Sequence, residues 1–481
     1  MLDDLLKQID PFVETVREHW QIPGVALAIV RRAGPIFVRA YGLKNHAQGM
    51  LAGNDTAFAI GSCSKAFTAT LAAILADQSK LAWDDPIRKY LPSFRLHDPW
   101  ISDHITIRDV LSNRTGLSRA SISEYGSDLS RCDVLARARE IQPIGEFRDQ
   151  FTYCNLGFVV AAEAMAAAAG EPFERLVEDR IFKPLGMKSG TVSNDPWATH
   201  SNIASPHAED DGKLMPVTPL ALDNLMGAGS ITMSAHDAVA WLGLHLGGGE
   251  YNATRIVSKE SLRETHIVQT PRCDRTLFDG YGMGWEVRHW PGDCLNIHAG
   301  AVSGFRAVTW FDMEDDWAGF VSVNNSCHPA HSAISAFFRQ IRKGEDQKNW
   351  IEHFDKIENE QRAKSRSEFE DERSKSPISS SPWSLDDFVG TYWHKGFGTL
   401  HIERRSDYLW FRIEDYSISD SPLVRYSSLC FEHQRDQDVP ITEPEPLTGD
   451  KEKIRFQESD GRISHLDWSS WFGNARFRRE G

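Results

Sequence analysis

Ser62 and Lys65 lie three residues apart in Gly61-Ser62-Cys63-Ser64-Lys65, at the head of a segment running to Asp77. In that segment Phe67, Leu71, Ile74 and Leu75 are separated mostly by small residues. Such a pattern predicts a helix that is apolar on nearly every side and buried in the centre of a domain. Three positions on a helix make about one turn, so the serine and the lysine share a face. Burial desolvates Lys65 and favours its neutral amine. A neutral amine can take the Ser62 proton and make the hydroxyl a nucleophile. The N-terminus of the helix adds N–H groups and positive potential for a developing oxyanion. The spacing by itself is weak, because Ser-x-x-Lys arises about twice by chance in a chain of this length. Its ordinary reading is a capping serine and a lysine that reaches for solvent. The apolar helix leaves Lys65 little solvent to reach.

Two further constellations carry suitable groups. Phe151-Thr152-Tyr153-Cys154-Asn155-Leu156-Gly157 sets a tyrosine and an asparagine two apart, on one side of an extended segment. A tyrosine beside a lysine can shuttle a proton, and an asparagine can bond a substrate amide; a buried tyrosine with a satisfied hydroxyl is the plain alternative. Leu295-Asn296-Ile297-His298-Ala299-Gly300-Ala301 reads as an alternating strand ending in His-x-Gly. Gly300 would let a ligand approach the backbone closely. His298 could polarise the tyrosine or a leaving group, or be a core histidine.

The elements that must position these groups follow from periodicity. Residues 3–20 form an amphipathic helix ended by Pro23-Gly24. Val25–Val30 and Ile36–Tyr41 are β-rich runs joined by a Gly-Pro hairpin signal. Helical and loop-rich sequence follows to about residue 245. Gly282–Val287, Leu295–His298, Phe305–Trp310 and Gly319–Val323 are strand-like, and a helix closes over Ala330–Ile341. This order predicts an α/β domain with an antiparallel sheet over residues 1–342. Residues 343–382 become charged and then Ser/Pro-rich, which marks a linker. Residues 383–481 carry short alternating strands, a small antiparallel β-barrel or sandwich.

Composition sets outer limits. Across 481 residues 41% are hydrophobic and 25% charged, an ordinary soluble balance. The net charge of −15 disfavours nucleic acid and an anionic membrane as partners. The most apolar runs fall short of a membrane span. No basic segment followed by an apolar core opens the chain. The seven cysteines are odd in number and scattered, without Cys-x-x-Cys. They predict reduced thiols in the cytoplasm. Cys63 and Cys154 fall inside the motifs above, where buried packing is the default. No His, Cys or carboxylate spacing suits a metal, and no cofactor is expected.

Taken together and in this order, the three constellations resemble the serine β-lactamase and penicillin-binding-protein superfamily. They are most similar to class C β-lactamases and their esterase, D-aminopeptidase and acyltransferase relatives. Ile105-Thr106-Ile107-Arg108-Asp109-Val110-Leu111-Ser112 with Thr115-Gly116-Leu117, Pro184-Leu185-Gly186-Met187, Gly227-Ala228-Gly229-Ser230, Tyr281-Gly282-Met283-Gly284-Trp285 and Asn324-Asn325 agree with it. The likeness covers roughly residues 10–342. It implies the β-lactamase/transpeptidase-like fold, an antiparallel sheet flanked by helices with an all-helical insertion.

For the site, the resemblance implies that Ser62 is the acyl-enzyme nucleophile and that Lys65 and Tyr153 form the proton relay. Asn155 would position the substrate, and the amides of Ser62 and Ala301 would form the oxyanion hole. His298 stands where β-lactamases usually carry the lysine of Lys-Thr-Gly, which helps bind a carboxylate. His-Ala-Gly therefore points away from a true β-lactamase. Asn113-Arg114 also departs from the usual His-Thr.

The reaction this implies is hydrolysis or acyl transfer on a small-molecule or peptide ester, amide or thioester, free or carrier-bound. A thioesterase, acyltransferase or cyclase of a polyketide or nonribosomal peptide pathway is one alternative. A non-catalytic scaffold on the same fold is another, but it should have lost Ser62, Lys65 or Tyr153. Leu385–Ile402 looks like the lipocalin-like domain attached to some of these hydrolases.

Overall fold

Strand β1 (Gly24–Arg31) is apolar at almost every position and divides the molecule in two. Val25, Leu27 and Ile29 enter one apolar layer, and Ala26, Ala28 and Val30 the other. Successive side chains of a strand point to opposite faces, so this pattern belongs to a sheet covered on both sides. The computed structural model describes residues 2–117, 127–193, 195–210, 213–219, 221–272, 279–290, 293–343, 348–375, 378–414, 421–433, 452–470 and 473–480. The other strands of this sheet are β2 (Gly34–Asn45), β3 (Met50–Leu51), β4 (Thr270–Pro271), β5 (Gly280–Tyr281), β6 (Glu286–Trp290), β7 (Asp293–Val302), β8 (Phe305–Asp312) and β9 (Trp317–Val323). Their spatial order is β4-β5-β6-β7-β8-β9-β1-β2-β3, antiparallel throughout. The first and last strands of the domain thus meet in the middle, where Leu27 lies opposite Val321.

The longer helices are α1 (Leu2–His19), α2 (Ser64–Asp77), α3 (Asn155–Ala169), α4 (Ala235–Leu246), α5 (Ala330–Lys343) and α6 (Trp350–Lys375). α1 and α5 cover one face, with Ile9, Val13 and Val16 packed in a layer with Ala333, Ile334 and Phe337. α2, α3 and α4 cover the other. Every residue of α2 from Ser64 to Leu75 is buried, and Phe67 stacks on Trp241 of α4 at 3.6 Å. Because α2 is enclosed, it is apolar all round, as its composition predicts. α3 is apolar for the same reason. Among the described residues no single helix is long and apolar enough to cross a membrane.

The insertion between β3 and β4 is helical in bulk but not wholly so. Phe58–Ala59, Ile231–Met233 and Thr191–Val192 form a three-stranded sheet, and His207–Asp210 pairs with Lys213–Pro216. These runs of two to four residues are too short to leave a period-2 signal.

The charged segment after α5 forms α6, and the described side chains of its second half are exposed. Its first turns dock on the domain, where Trp20 and His19 each donate or bond to Asp355 at 2.9 Å. Beyond it, β10 (Gly390–His394), β11 (Gly398–Arg405), β12 (Tyr408–Ile413), β13 (Ser421–Arg425), β14 (Cys430–His433), β15 (Glu452–Ser459), β16 (Arg462–Ser470) and β17 (Gly473–Arg479) close into a barrel. Closure leaves no unpaired edge strand. Tyr392, Phe411, Phe431, Phe456, Trp468 and Phe477 are buried in it. β13 is the strand the sequence hides. Pro422 argues against a strand, yet it sits in the barrel opposite Trp410. Among the described residues no two cysteines form a disulfide, and Cys273 lies outside the described residues.

One buried carboxylate fixes the segment that leads to Tyr153. Asp109 closes a capping box with Thr106 and is fully buried. Its Oδ1 accepts from Arg114 Nε at 2.6 Å and Arg148 Nε at 2.9 Å, and its Oδ2 from Arg148 Nη2 at 2.7 Å. Burial by itself would raise its pKa. The bonds from Arg148 and Thr106 and the charge of Arg114 more than offset that and hold the carboxyl below its usual range. A carboxyl depressed in the folded state stabilises above the unfolded value, and the contribution is lost as pH falls through the folded value. We predict that Asp109→Ala costs about 3 kcal/mol, because it leaves two arginines without their anion. Urea unfolding at neutral pH checks this, and the deficit relative to the parent should shrink towards acid pH.

Candidate active site

Ser62 sits in a tight turn, Gly61–Cys63, that runs directly into α2. Gly61 has φ +49°, and a Cβ there would lie 2.6 Å from Ala301 N. A Cβ on Gly300 would lie 2.0 Å from Ile60 O and 2.9 Å from Ser62 N. These are backbone atoms that cannot swing aside, so both positions need glycine. The sequence reading had a ligand approach Gly300; what approaches it is the Ser62 turn itself. β7 can make this contact because its register with β6 ends at Ile297, while pairing to β8 continues to Val302. The backbone nitrogens of Ser62 and Ala301 both lie in this contact between β7 and the turn before α2, where N–H groups could stabilise an oxyanion.

Lys65 lies in the first turn of α2 and is fully buried. Its Nζ stands 3.0 Å from Ser62 Oγ, 2.7 Å from Asn155 Oδ1 and 2.9 Å from the Ala228 carbonyl. The rings of Tyr153 and Phe158 lie 4.8 and 5.3 Å from it. The Tyr153 hydroxyl also lies within hydrogen-bond reach of Ser62 Oγ, at 2.7 Å. A hydroxyl between an amine and a phenol can lose its proton to one and be reprotonated by the other.

Asn155 departs from its expected setting. It is the first residue of α3 rather than part of an extended pair with Tyr153, because Cys154 already caps the helix. It still reaches the site, but its oxygen is taken by Lys65. The Ala228 carbonyl was missed as a lysine acceptor, although Gly227-Ala228-Gly229-Ser230 had marked the loop. Gly227 has φ +84°, and a Cβ there would lie 2.7 Å from the Phe158 carbonyl. The loop therefore packs directly on α3.

His298 is buried, and its ring nitrogens are both used. Nδ1 lies 2.7 Å from the Ala299 carbonyl, which can only accept, so it carries the proton. Nε2 then accepts from the Tyr281 hydroxyl at 3.0 Å. Burial, and secondarily the Lys65 charge, push its pKa down to about 3, so the ring is neutral at ordinary pH. The expected action of His298 on Tyr153 is not what the geometry provides. Their rings are 6.3 Å apart, and the tyrosine bonded to His298 is Tyr281. Tyr281 was visible in Tyr281-Gly282-Met283-Gly284-Trp285, but nothing in that run announced its partner. Gly284 of the same run has φ +74°, and a Cβ there would lie 2.6 Å from the Lys65 carbonyl.

The two cysteines within these motifs are buried. Cys63 Sγ donates to the His298 carbonyl at 3.2 Å, and burial pushes its thiol up to about 12. Cys154 is fully buried.

Gly300→Ala should separate β7 from the Ser62 turn while leaving the sheet intact. We predict that turnover falls about 100-fold or more, with a far-UV circular dichroism spectrum like the parent's. Parental turnover would show that this contact does not matter to the chemistry.

The likenesses to known proteins agree with this geometry. The family model described as Beta-lactamase matches residues 12–335. A second model, a domain of unknown function, matches residues 374–479. The unguisins hydrolase ungD' of Aspergillus campestris is 25% identical over 83% of this chain and 78% of its own. The D-aminopeptidase of Brucella anthropi is 24% identical over 63% of this chain and 56% of its own. Among solved structures, a penicillin-binding protein homologue of Pyrococcus abyssi superposes with a TM-score of 0.64, at 18% identity over 98% of this chain and 100% of that one. The match of the family model to most of the chain shows that the protein belongs to the beta-lactamase family of serine hydrolases.

Proposed function

We propose that the protein acts on an ester, amide or thioester through an acyl-Ser62 intermediate. The observation that carries this reading is Ser62 Oγ held between Lys65 Nζ at 3.0 Å and the Tyr153 hydroxyl at 2.7 Å. In the first half of the reaction Ser62 Oγ bonds to the acyl carbon, and its proton passes to the Lys65–Tyr153 pair. The carbonyl oxygen becomes an oxyanion facing the amides of Ser62 and Ala301. The bond to the leaving oxygen, nitrogen or sulfur then breaks, and the leaving group takes the proton from the same pair. In the second half, water or another nucleophile gives up a proton to that pair and bonds to the acyl carbon. Ser62 departs and recovers its proton.

A substrate other than a β-lactam is supported at His298. A neutral ring closed off by Tyr281 and Ala299 offers no cation to a substrate carboxylate. Hydrolysis is further supported by a relative named a hydrolase of unguisins, and an amide substrate by one named a D-aminopeptidase. A non-catalytic scaffold would have no use for the serine, lysine and tyrosine held together in this way.

A panel of p-nitrophenyl esters, D-amino-acid amides, acyl thioesters and a β-lactam tests the reading. We predict turnover in at least one of the first three classes, and more slowly with the β-lactam. Ser62→Ala should lower it about 1,000-fold or more, and Lys65→Met by a similar factor. Turnover that survives Ser62→Ala would overturn the assignment.

A further inference from the structure

Tyr153 has to hold its hydroxyl against Ser62 from a stretch, residues 151–154, that is neither helix nor strand. The backbone on either side of it is held by a single residue. The Thr152 amide donates to the Asn113 carbonyl at 2.8 Å, and the Cys154 amide donates to Asn113 Oδ1 at 3.0 Å. Asn113 is fully buried and has φ +55°, a left-handed conformation that asparagine adopts more readily than most residues. That backbone turn aims its carbonyl and its side-chain oxygen at two amides flanking one tyrosine.

Asn113 is itself anchored. The Ser112 carbonyl accepts from Thr270 Oγ1 at 2.8 Å, and the Arg114 carbonyl accepts from the Arg148 amide at 2.8 Å. Arg114 and Arg148 both bind Asp109. The other side-chain polar atom, Nδ2, is buried and makes no hydrogen bond among the described residues. The Asn113 side chain also acts on the buried Tyr281 hydroxyl, the group bonded to His298, lowering a pKa that burial raises. One asparagine therefore adjoins both tyrosines of the site.

We propose that Asn113 is the positioning residue that sets the Tyr153 hydroxyl against Ser62. The proposal rests on the reading of Ser62 and Tyr153 as reaction machinery. A tyrosine released from one of its two flanking bonds would drift from Oγ, and displacements of about 1 Å at such a group cost up to about 100-fold in rate. The role falls on a position where the family resemblance implies histidine and this chain has asparagine.

Two variants separate positioning from packing. Asn113→Gly keeps the left-handed backbone and the bond to Thr152 but removes the bond to Cys154. Asn113→Asp keeps the oxygen for Cys154, and its protonated form also restores a donor towards Tyr281. With the substrate found most active, Asn113→Gly should lower kcat about 10- to 100-fold with KM little changed, at temperatures where the variant is fully folded. Asn113→Asp should recover most of kcat, either at all pH values or increasingly as pH falls and its carboxyl protonates. Parental kcat in Asn113→Gly, or an Asn113→Asp no better than Asn113→Gly at every pH, would overturn the proposal. Ser62→Ala run in parallel tells the two readings apart. If it stays active, the assignment of the site has failed, whatever Asn113 does.

Discussion

A buried amine needs acceptors, and the satisfaction of Lys65 Nζ is the constraint on which the rest of the site depends. Burying such a group without partners is costly. Here the partners come from three places far apart in the chain: Ser62 one turn earlier, Asn155 at the start of α3, and the Ala228 carbonyl from the loop before Ile231. The core helix, the second helix and the loop are thereby drawn to one atom. The apolar surroundings that make α2 a stable centre of the domain also keep water from Nζ, so the same packing serves stability and chemistry.

Around that atom the site is finished by backbone rather than by side chains. Gly61 and Gly300 allow the Ser62 turn and β7 to approach more closely than any Cβ would permit, and Gly284 does the same for the first turn of α2. Each contact removes a degree of freedom from the nucleophile without adding a charged group. Charge is kept further out, where Asp109 ties Arg114 and Arg148 together behind the tyrosine segment. The imidazole of His298 is held neutral between a carbonyl and a tyrosine. On the proposed reading, the working groups of the site are an amine, two hydroxyls and two amides.

Much of this was legible in the sequence, and what was not has identifiable reasons. Ser62, Lys65, Tyr153 and His298 stand out only when their three motifs are taken together and in order, as a family resemblance, and the β-rich run of β1 was legible as a strand. The C-terminal β domain was legible as alternating strands, a barrel or a sandwich, except for β13, where Pro422 breaks the expected composition. Hydrogen-bond partners across long separations were not legible. Nothing in Tyr281 or His298 says that they bond to each other, because the pairing depends on β5 and β7 flanking β6. Asn155 was read as extended because a helix start and a strand end look alike over two residues. Gly300 was read as room for a ligand because a glycine reports that something comes close, not what it is.

The most direct test of the account is to find which atom is acylated. Incubation with a fluorophosphonate, followed by intact-protein mass and peptide mapping, should give a single adduct on Ser62 that is absent from Ser62→Ala. An adduct on another serine, or labelling of Ser62→Ala at the parental rate, would contradict it.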